Sequence, residues 1–92
     1  MQCLPFFVNL QQVNIKLNNM LNKKVEEAIN AQINAELWSA YLYLSMAAYC
    51  HAQGQPGMAK WFEVQFREEQ DHAKIFFNYV VSRDGVVTLK PI

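Results

Sequence analysis

The chain is poor in the residues that interrupt regular structure, and it carries no excess charge of either sign. It has three glycines and three prolines in 92 residues, whereas 52% of its residues are hydrophobic and 13% are aromatic. This composition is typical of a packed, mostly helical protein and argues against a loop-rich or disordered one. Because the formal net charge is zero, nothing in the charge favours binding to nucleic acid or to an acidic membrane surface.

Cysteine and long hydrophobic runs are also scarce. Cys3 and Cys50 are far apart and form no C-x-x-C motif, which argues against a zinc knuckle or a neighbouring redox pair. No hydrophobic run is long enough to span a membrane, and the first residues lack the basic segment and the cleavage site of a signal peptide. We therefore expect a cytoplasmic protein with reduced thiols and without a membrane or nucleic-acid partner.

Two segments, about 22–52 and 57–83, have the periodicity of long helices, since their hydrophobic residues recur every three or four positions. These residues are Val25, Ile29, Ile33, Leu37, Ala40, Leu44 and Ala47 in the first segment, and Phe62, Phe66, Phe76 and either Tyr79 or Val80 in the second, where Glu69 and His72 occupy the positions between Phe66 and Phe76. The short connection contains two glycines and a proline, which end one helix and begin the next. We predict an all-α fold in which residues 21–85 form an antiparallel two-helix hairpin.

The segments outside the hairpin are predicted to be arms. Residues 1–20 are rich in asparagine and glutamine, and no structure or role is assigned to them. Residues 86–92 alternate too weakly for a strand and are predicted to be extended. A hairpin of helices about 40 Å long exposes most of its hydrophobic stripe. We therefore expect it to associate, because two hairpins side by side form a four-helix bundle.

Four polar residues lie on the two hydrophobic stripes. Glu36 and Tyr43 are on the first stripe, and Glu69 and His72 are on the second. An ionised group on a buried face costs several kcal/mol unless it is paired, hydrogen bonded or bound to a metal. Glu69 and His72 are three residues apart on a helix, so both side chains point the same way and can bind one ion.

Interpretations without metal exist for these positions. Glu36 can be a neutral acid or the ion-pair partner of Arg67 or Lys60, Tyr43 can be a core aromatic residue, and Glu-x-x-His also arises by chance on exposed faces. A Glu from each of two helices and a Glu-x-x-His motif from each of two others are, however, the known ligand set of ferritin-like di-iron bundles. The sequence contains one such Glu and one such motif.

Three motifs resemble the first two helices of bacterial non-haem ferritins. They are Ile33–Tyr43 (INAELWSAYLY), Met58–Phe62 (MAKWF) and Phe66–Ala73 (FREEQDHA). The resemblance extends from about Met20 to Ile92, and the ending VTLKPI is similar to the start of the long crossover in that family. It implies a ferritin-like helical bundle that binds iron.

The resemblance also implies a role for each site residue. Glu36 would be a terminal iron ligand, Glu69 a carboxylate that bridges two irons, and His72 the imidazole ligand. Tyr43 would be a nearby hydrogen-bonding and redox-capable phenol. Glu68 resembles a ligand of an accessory iron site, which the family completes with carboxylates from a later helix; without them Glu68 is a solvated charge.

The third and fourth helices of ferritins have no counterpart in the sequence. A homodimer of the hairpin, or a higher even-numbered homo-oligomer, would rebuild the bundle with Glu36, Glu69 and His72 from both chains. Such sharing resembles bacterioferritin and the short encapsulated ferritins. Carboxylate and imidazole ligands suit iron, and also manganese or zinc. We expect two irons per dimer, about 4 Å apart.

The resulting hypothesis is a ferroxidase that oxidises Fe(II) to Fe(III) with O2 or peroxide, in iron storage or detoxification. The alternative is a truncated ferritin hairpin without productive metal chemistry, which acts as a structural or partner-binding module and docks with full-length ferritin subunits. Peroxide reduction in the manner of rubrerythrin is less favoured, because the sequence has no cysteine pairs for an attached electron-transfer site.

Overall fold

The described part of the chain, residues 21–92, consists of two long helices followed by an extended arm. In this computed structural model α1 is Lys23–Ala52 and α2 is Pro56–Ser82, and no strand occurs within the described range. Neither helix is long and apolar enough to cross a membrane. The predicted all-α hairpin is confirmed. The predicted N-terminal arm, 1–20, lies outside the described residues, and the division into arm, hairpin and arm stays a prediction.

Local capping determines where the two helices begin and end. The Asn22 side chain accepts a hydrogen bond of 2.9 Å from the Lys24 amide, which satisfies one of the free amides at the start of α1. Gly54 reverses the chain after α1 with a φ of 70°, a conformation that glycine adopts without steric cost. Pro56 begins α2, where a missing amide hydrogen breaks no helical hydrogen bond. The short connection makes the two helices antiparallel neighbours.

The core between the helices is built mainly from small side chains. The buried hydrophobic residues are Ile33, Ala40, Ala47, Cys50, Ala59, Ala73 and Val80. Most of them are alanine, so the two helix backbones can approach closely. The largest fully buried side chains, Ile33 and Val80, lie far from the connection, where they pack with Ala73. The hairpin therefore has a narrow core.

Some hydrophobic positions that were predicted for the two stripes lie at the surface. Val25 and Leu44 are each 44% exposed, and Tyr79 is 41% exposed, whereas Val80 is fully buried. A narrow contact between two helices buries only the centre of each stripe, and side chains at its edges stay in solvent. A single hairpin was expected to expose much of its hydrophobic stripe, which includes Val25 and Leu44, and of the two alternatives the core contains Val80.

The hairpin leaves much of its hydrophobic surface uncovered. Fifteen large hydrophobic side chains of the described residues are exposed, among them Trp38, Tyr41, Tyr49, Trp61 and Ile75. Exposed apolar surface on this scale is characteristic of protein association rather than of a monomeric domain. We infer that the hairpin is one component of a larger packing unit.

The C-terminal arm lies extended along one side of α1 and is held by helix side chains. Hydrogen bonds of 2.7–2.9 Å join Glu26 to Val86, Asn30 to Val86 and Thr88, and Asn34 to Thr88 and Lys90. Four residues of helix rise about 6 Å, and two residues of extended chain span about 6.6 Å. Every fourth residue of α1 therefore stays level with every second residue of the arm over three successive positions.

Gly85 allows the arm to leave α2 in close contact with α1. A Cβ added at this position would lie 2.9 Å from Val80 Cγ1 and 3.0 Å from Glu26 Oε2. We predict that Gly85→Ala lowers the free energy of unfolding by about 1–3 kcal/mol, because the packed neighbours would have to move. Urea denaturation measures this difference.

Gly57→Ala is the matched control for this substitution. No atom lies within 4 Å of a Cβ added at Gly57, which is inside α2, where alanine is the better helix former. The control variant should therefore be as stable as the wild type or more stable. Equal effects of the two substitutions would show that the close contacts of Gly85 do not matter.

Candidate metal centre

Glu36 on α1 meets Glu69 and His72 on α2 to form a cluster of three potential metal ligands, the only such group within residues 21–92. One donor atom from each residue lies within 4.8 Å of the other two. His72 Nδ1 is 3.4 Å from Glu36 Oε2 and 3.6 Å from Glu69 Oε1. The structure thus brings together three residues to which the sequence analysis assigned metal binding.

These separations are compatible with a shared divalent cation. Imidazole nitrogen and carboxylate oxygen bind Zn²⁺ at about 2.0–2.2 Å, so two donors on one such ion lie roughly 3 to 4.2 Å apart. Both distances from His72 fall within this range. The donor set also suits Fe(II) and Mn(II). Three donors do not fill the coordination sphere of even one octahedral ion, so a bound ion would need further ligands.

The helix geometry explains why these three side chains converge. Glu69 and His72 are separated by three residues and therefore share one side of α2. Ala40 and Ala73 are buried in the contact between the helices, and their small size keeps the helices close enough for Glu36 to reach across from α1. The local sequence thus places two ligands on one helix and a third on its neighbour.

The cluster is shielded by the hairpin on one side and open on the other. The side chains of Glu36 and Glu69 are 13% and 19% exposed, whereas that of His72 is 51% exposed. His72 is less buried than its place on a hydrophobic stripe predicted, because no further element of the described chain covers this face. The open side is where additional ligands can approach.

A hydrogen bond couples the two carboxyl groups. It lowers the pKa of Glu36. Burial opposes this shift, whereas the hydrogen bond from Gln32 and the charge of His72 lower the pKa further. The same hydrogen bond, together with burial and the charge of Glu36, raises the pKa of Glu69. Of the two carboxyl groups, Glu69 is therefore the one that holds a proton to the higher pH. A divalent cation bound between the carboxylates would take the place of that proton.

Glu68 and Tyr43 lie outside this cluster. Glu68 is exposed, and its charge contributes to the raised pKa of Glu69. Tyr43 is half-buried, and its ring centroid lies 6.2 Å from that of Phe62 in a tilted arrangement. Their roles as an accessory iron ligand and a redox-capable phenol stay predictions.

One polar neighbour of the cluster was missed by the sequence analysis. Gln32 donates a hydrogen bond of 3.0 Å from Nε2 to Glu36 Oε1. The signal was a glutamine four residues before a glutamate on a helix, a spacing that places both side chains on one side. Such pairs are common on helix surfaces, so the spacing alone did not single out Gln32.

Comparisons with known proteins match the same part of the chain. The ferritin family model, described as a ferritin-like domain, matches residues 26–92. The chain belongs to the ferritin-like family. It is 41% identical to the bacterial non-heme ferritin of Bacteroides fragilis (strain 638R) over 73 aligned residues. The aligned region covers 79% of this chain and 46% of that ferritin. The bacterial non-heme ferritin of Staphylococcus aureus (strain USA300) is 41% identical over 64 residues, covering 70% of this chain and 39% of the relative.

Solved ferritin structures also resemble the hairpin. The open-pore ferritin of the hyperthermophilic archaeon Archaeoglobus fulgidus has a TM-score of 0.76 and 46% identity, with 80% of this chain and 45% of that chain covered. A closed form of that ferritin engineered by site-directed mutagenesis has a TM-score of 0.76 and 47% identity, with 78% and 44% covered. The predicted family resemblance and ferritin-like helical fold are confirmed. The chain spans less than half the length of these relatives.

The coupled carboxyl pair makes the stability of the metal-free protein depend on pH. Because the pKa of Glu69 is raised in the fold, its protonated form stabilises the native state. This contribution is complete below the pKa of an unfolded glutamate, about 4.3, and is lost as pH rises through the folded pKa. Above that pH two neighbouring carboxylates repel each other.

We therefore predict that Glu69→Gln, which keeps a hydrogen-bond donor and removes the charge, stabilises the metal-free protein near neutral pH. The gain should be about 0.5 kcal/mol, the size of a like-charge repulsion on a helix, and should shrink as pH falls towards about 4. Urea denaturation with a chelator, at equal protein concentrations, measures it. Asp71→Asn, an exposed neighbour, is the control. A Glu69→Gln variant that is no more stable near neutral pH would contradict the coupling.

Proposed function

We propose that the chain binds iron and oxidises Fe(II) at a di-iron site completed by a second copy of the hairpin. The observation that carries this proposal is the cluster of Glu36, Glu69 and His72 on an open face of the hairpin. Its donors are those expected for Fe(II), and they are too few for two ions. Membership in the ferritin-like family and the similarity to bacterial non-heme ferritins support the same function.

A second copy of the hairpin would supply the additional ligands without any other protein. In a two-fold dimer the same surface of each chain faces its partner, so two open clusters would meet. The combined site would contain four carboxylates and two imidazoles. The exposed hydrophobic side chains of the hairpin provide the surface that such an association would bury. A homodimer is the smallest such assembly, and higher even-numbered oligomers satisfy the same geometry.

The proposed reaction uses iron as the substrate. Two Fe(II) ions each give up one electron, and O2 with two protons is reduced to hydrogen peroxide; when hydrogen peroxide is the oxidant, it is reduced with two protons to two waters. Glu36 and His72 of each chain would together hold one ion, and Glu69 from each chain would bridge the pair.

Several parts of the proposal extend beyond the cluster itself. Tyr43 would hydrogen bond near the site and act as a redox-capable phenol, and Glu68 would belong to an accessory site. Mn(II) or Zn(II) could occupy the same ligands. Iron storage or detoxification is the proposed physiological role, and a cytoplasmic location stays a prediction.

Native mass spectrometry before and after anaerobic addition of Fe(II) tests the proposal. We predict an even-numbered oligomer that takes up two irons per pair of chains. Glu69→Ala and His72→Ala should lose stoichiometric iron while helix content, measured by circular dichroism, is retained. Oxygen consumption after Fe(II) addition should approach one O2 per two irons in the wild type and disappear in both variants.

His51→Ala is the matched control for this experiment. His51 also pairs with a carboxylate, since its Nε2 lies 2.8 Å from Glu63 Oε2, but this pair lies near the connection between the helices. The control variant should bind iron with wild-type stoichiometry. Retention of two irons per pair of chains by Glu69→Ala or His72→Ala would sink the ligand assignment.

The alternative is a hairpin that associates without productive metal chemistry, for instance with full-length ferritin subunits. The exposed hydrophobic surface favours it, because that surface would promote association whether or not iron binds. The same mass spectra separate the two functions. A monomer, or an oligomer without stoichiometric iron, would favour the structural role.

A further inference from the structure

The carboxylate of Glu36 has a different partner on each oxygen. Gln32, one turn earlier on α1, donates from Nε2 to Oε1 at 3.0 Å. The other oxygen, Oε2, lies 3.4 Å from His72 Nδ1. The Gln32 amide therefore holds Oε1, while Oε2 faces the donors of α2.

We propose that Gln32 is a positioning residue for metal binding, which holds Glu36 so that Oε2 is presented to the ion. This inference rests on the proposed function, because it concerns the same cluster. Glutamate has three side-chain torsions, and fixing them on metal binding costs conformational entropy. A hydrogen bond that is already present in the metal-free protein reduces that cost and fixes the direction of the ligand, as outer-shell groups do in other metal sites.

The neutrality of the amide is essential to this role. Gln32 can hold Glu36 without neutralising its charge, so the carboxylate keeps its attraction for a cation. A lysine at this position would supply a donor of similar reach, but its ammonium group would compete with the metal for Glu36 and repel the ion. Leucine would supply neither the hydrogen bond nor a charge. The two substitutions therefore separate orientation from charge.

Titration of the metal-free protein with Co(II), followed by visible absorption and isothermal titration calorimetry, tests this role without relying on activity. We expect Gln32→Leu to weaken Co(II) binding by about 10–100-fold with unchanged stoichiometry. We expect Gln32→Lys to lose measurable Co(II) binding while its helix content and oligomeric state, read by circular dichroism and native mass spectrometry, stay as in the wild type. That combination would not arise if Gln32 only supported the fold.

Gln70→Leu is the control, since Gln70 is an exposed glutamine on α2 that lines a cleft with Leu89 on the arm side of the hairpin. It should bind Co(II) with wild-type affinity. Wild-type affinity in Gln32→Leu, or a loss no larger than that of Gln70→Leu, would overturn the positioning role while leaving the metal site intact. Absence of Co(II) binding in the wild type would instead overturn the metal site and the positioning role together.

Discussion

The close approach of α1 and α2 is the constraint on which the rest of the structure depends. It exists because the residues in the contact are mainly alanines, such as Ala40, Ala47 and Ala73. Small side chains keep the helices near enough for a glutamate on α1 to face a glutamate and a histidine on α2. The same narrow contact cannot accommodate the larger hydrophobic side chains, which therefore remain on the surface. The convergence of the three side chains and the exposed hydrophobic surface have one structural cause.

The carboxyl pair shows how the site departs from a well-packed core. Two carboxylates brought together without a cation repel each other, and this proximity raises the pKa of Glu69 while that of Glu36 is lowered. This arrangement costs stability and gives the fold no packing advantage. Such a violation of ordinary core design is expected where function, rather than stability, determines the residue type. A cation would resolve the repulsion directly.

The sequence was sufficient for the elements that depend on local signals. The glycines and proline of the connection located the turn, and the helical spacing placed Glu36 with Glu69 and His72. It was insufficient where the outcome depends on the width of the helix contact, because the spacing alone does not show which residues of the stripe lie at its exposed edge, as Val25 and Leu44 do. It also gave no sign that Asn30 and Asn34 bind the arm, because asparagine on a helix usually faces water. Those hydrogen bonds depend on the path of residues distant in sequence.

The two sides of the hairpin are covered to different extents, and this difference determines where a partner can act on the site. Asn30 and Asn34, which hold the arm, lie about 120° and 160° around α1 from Glu36 at 3.6 residues per turn. The arm therefore covers the side away from the ligands, while the ligand side stays open.

A second chain on that open side would contribute both hydrophobic contacts and metal donors. Metal binding and association would then stabilise each other, because an ion held by two chains favours the assembled state. In this arrangement the affinity for iron would depend on the concentration of the chain.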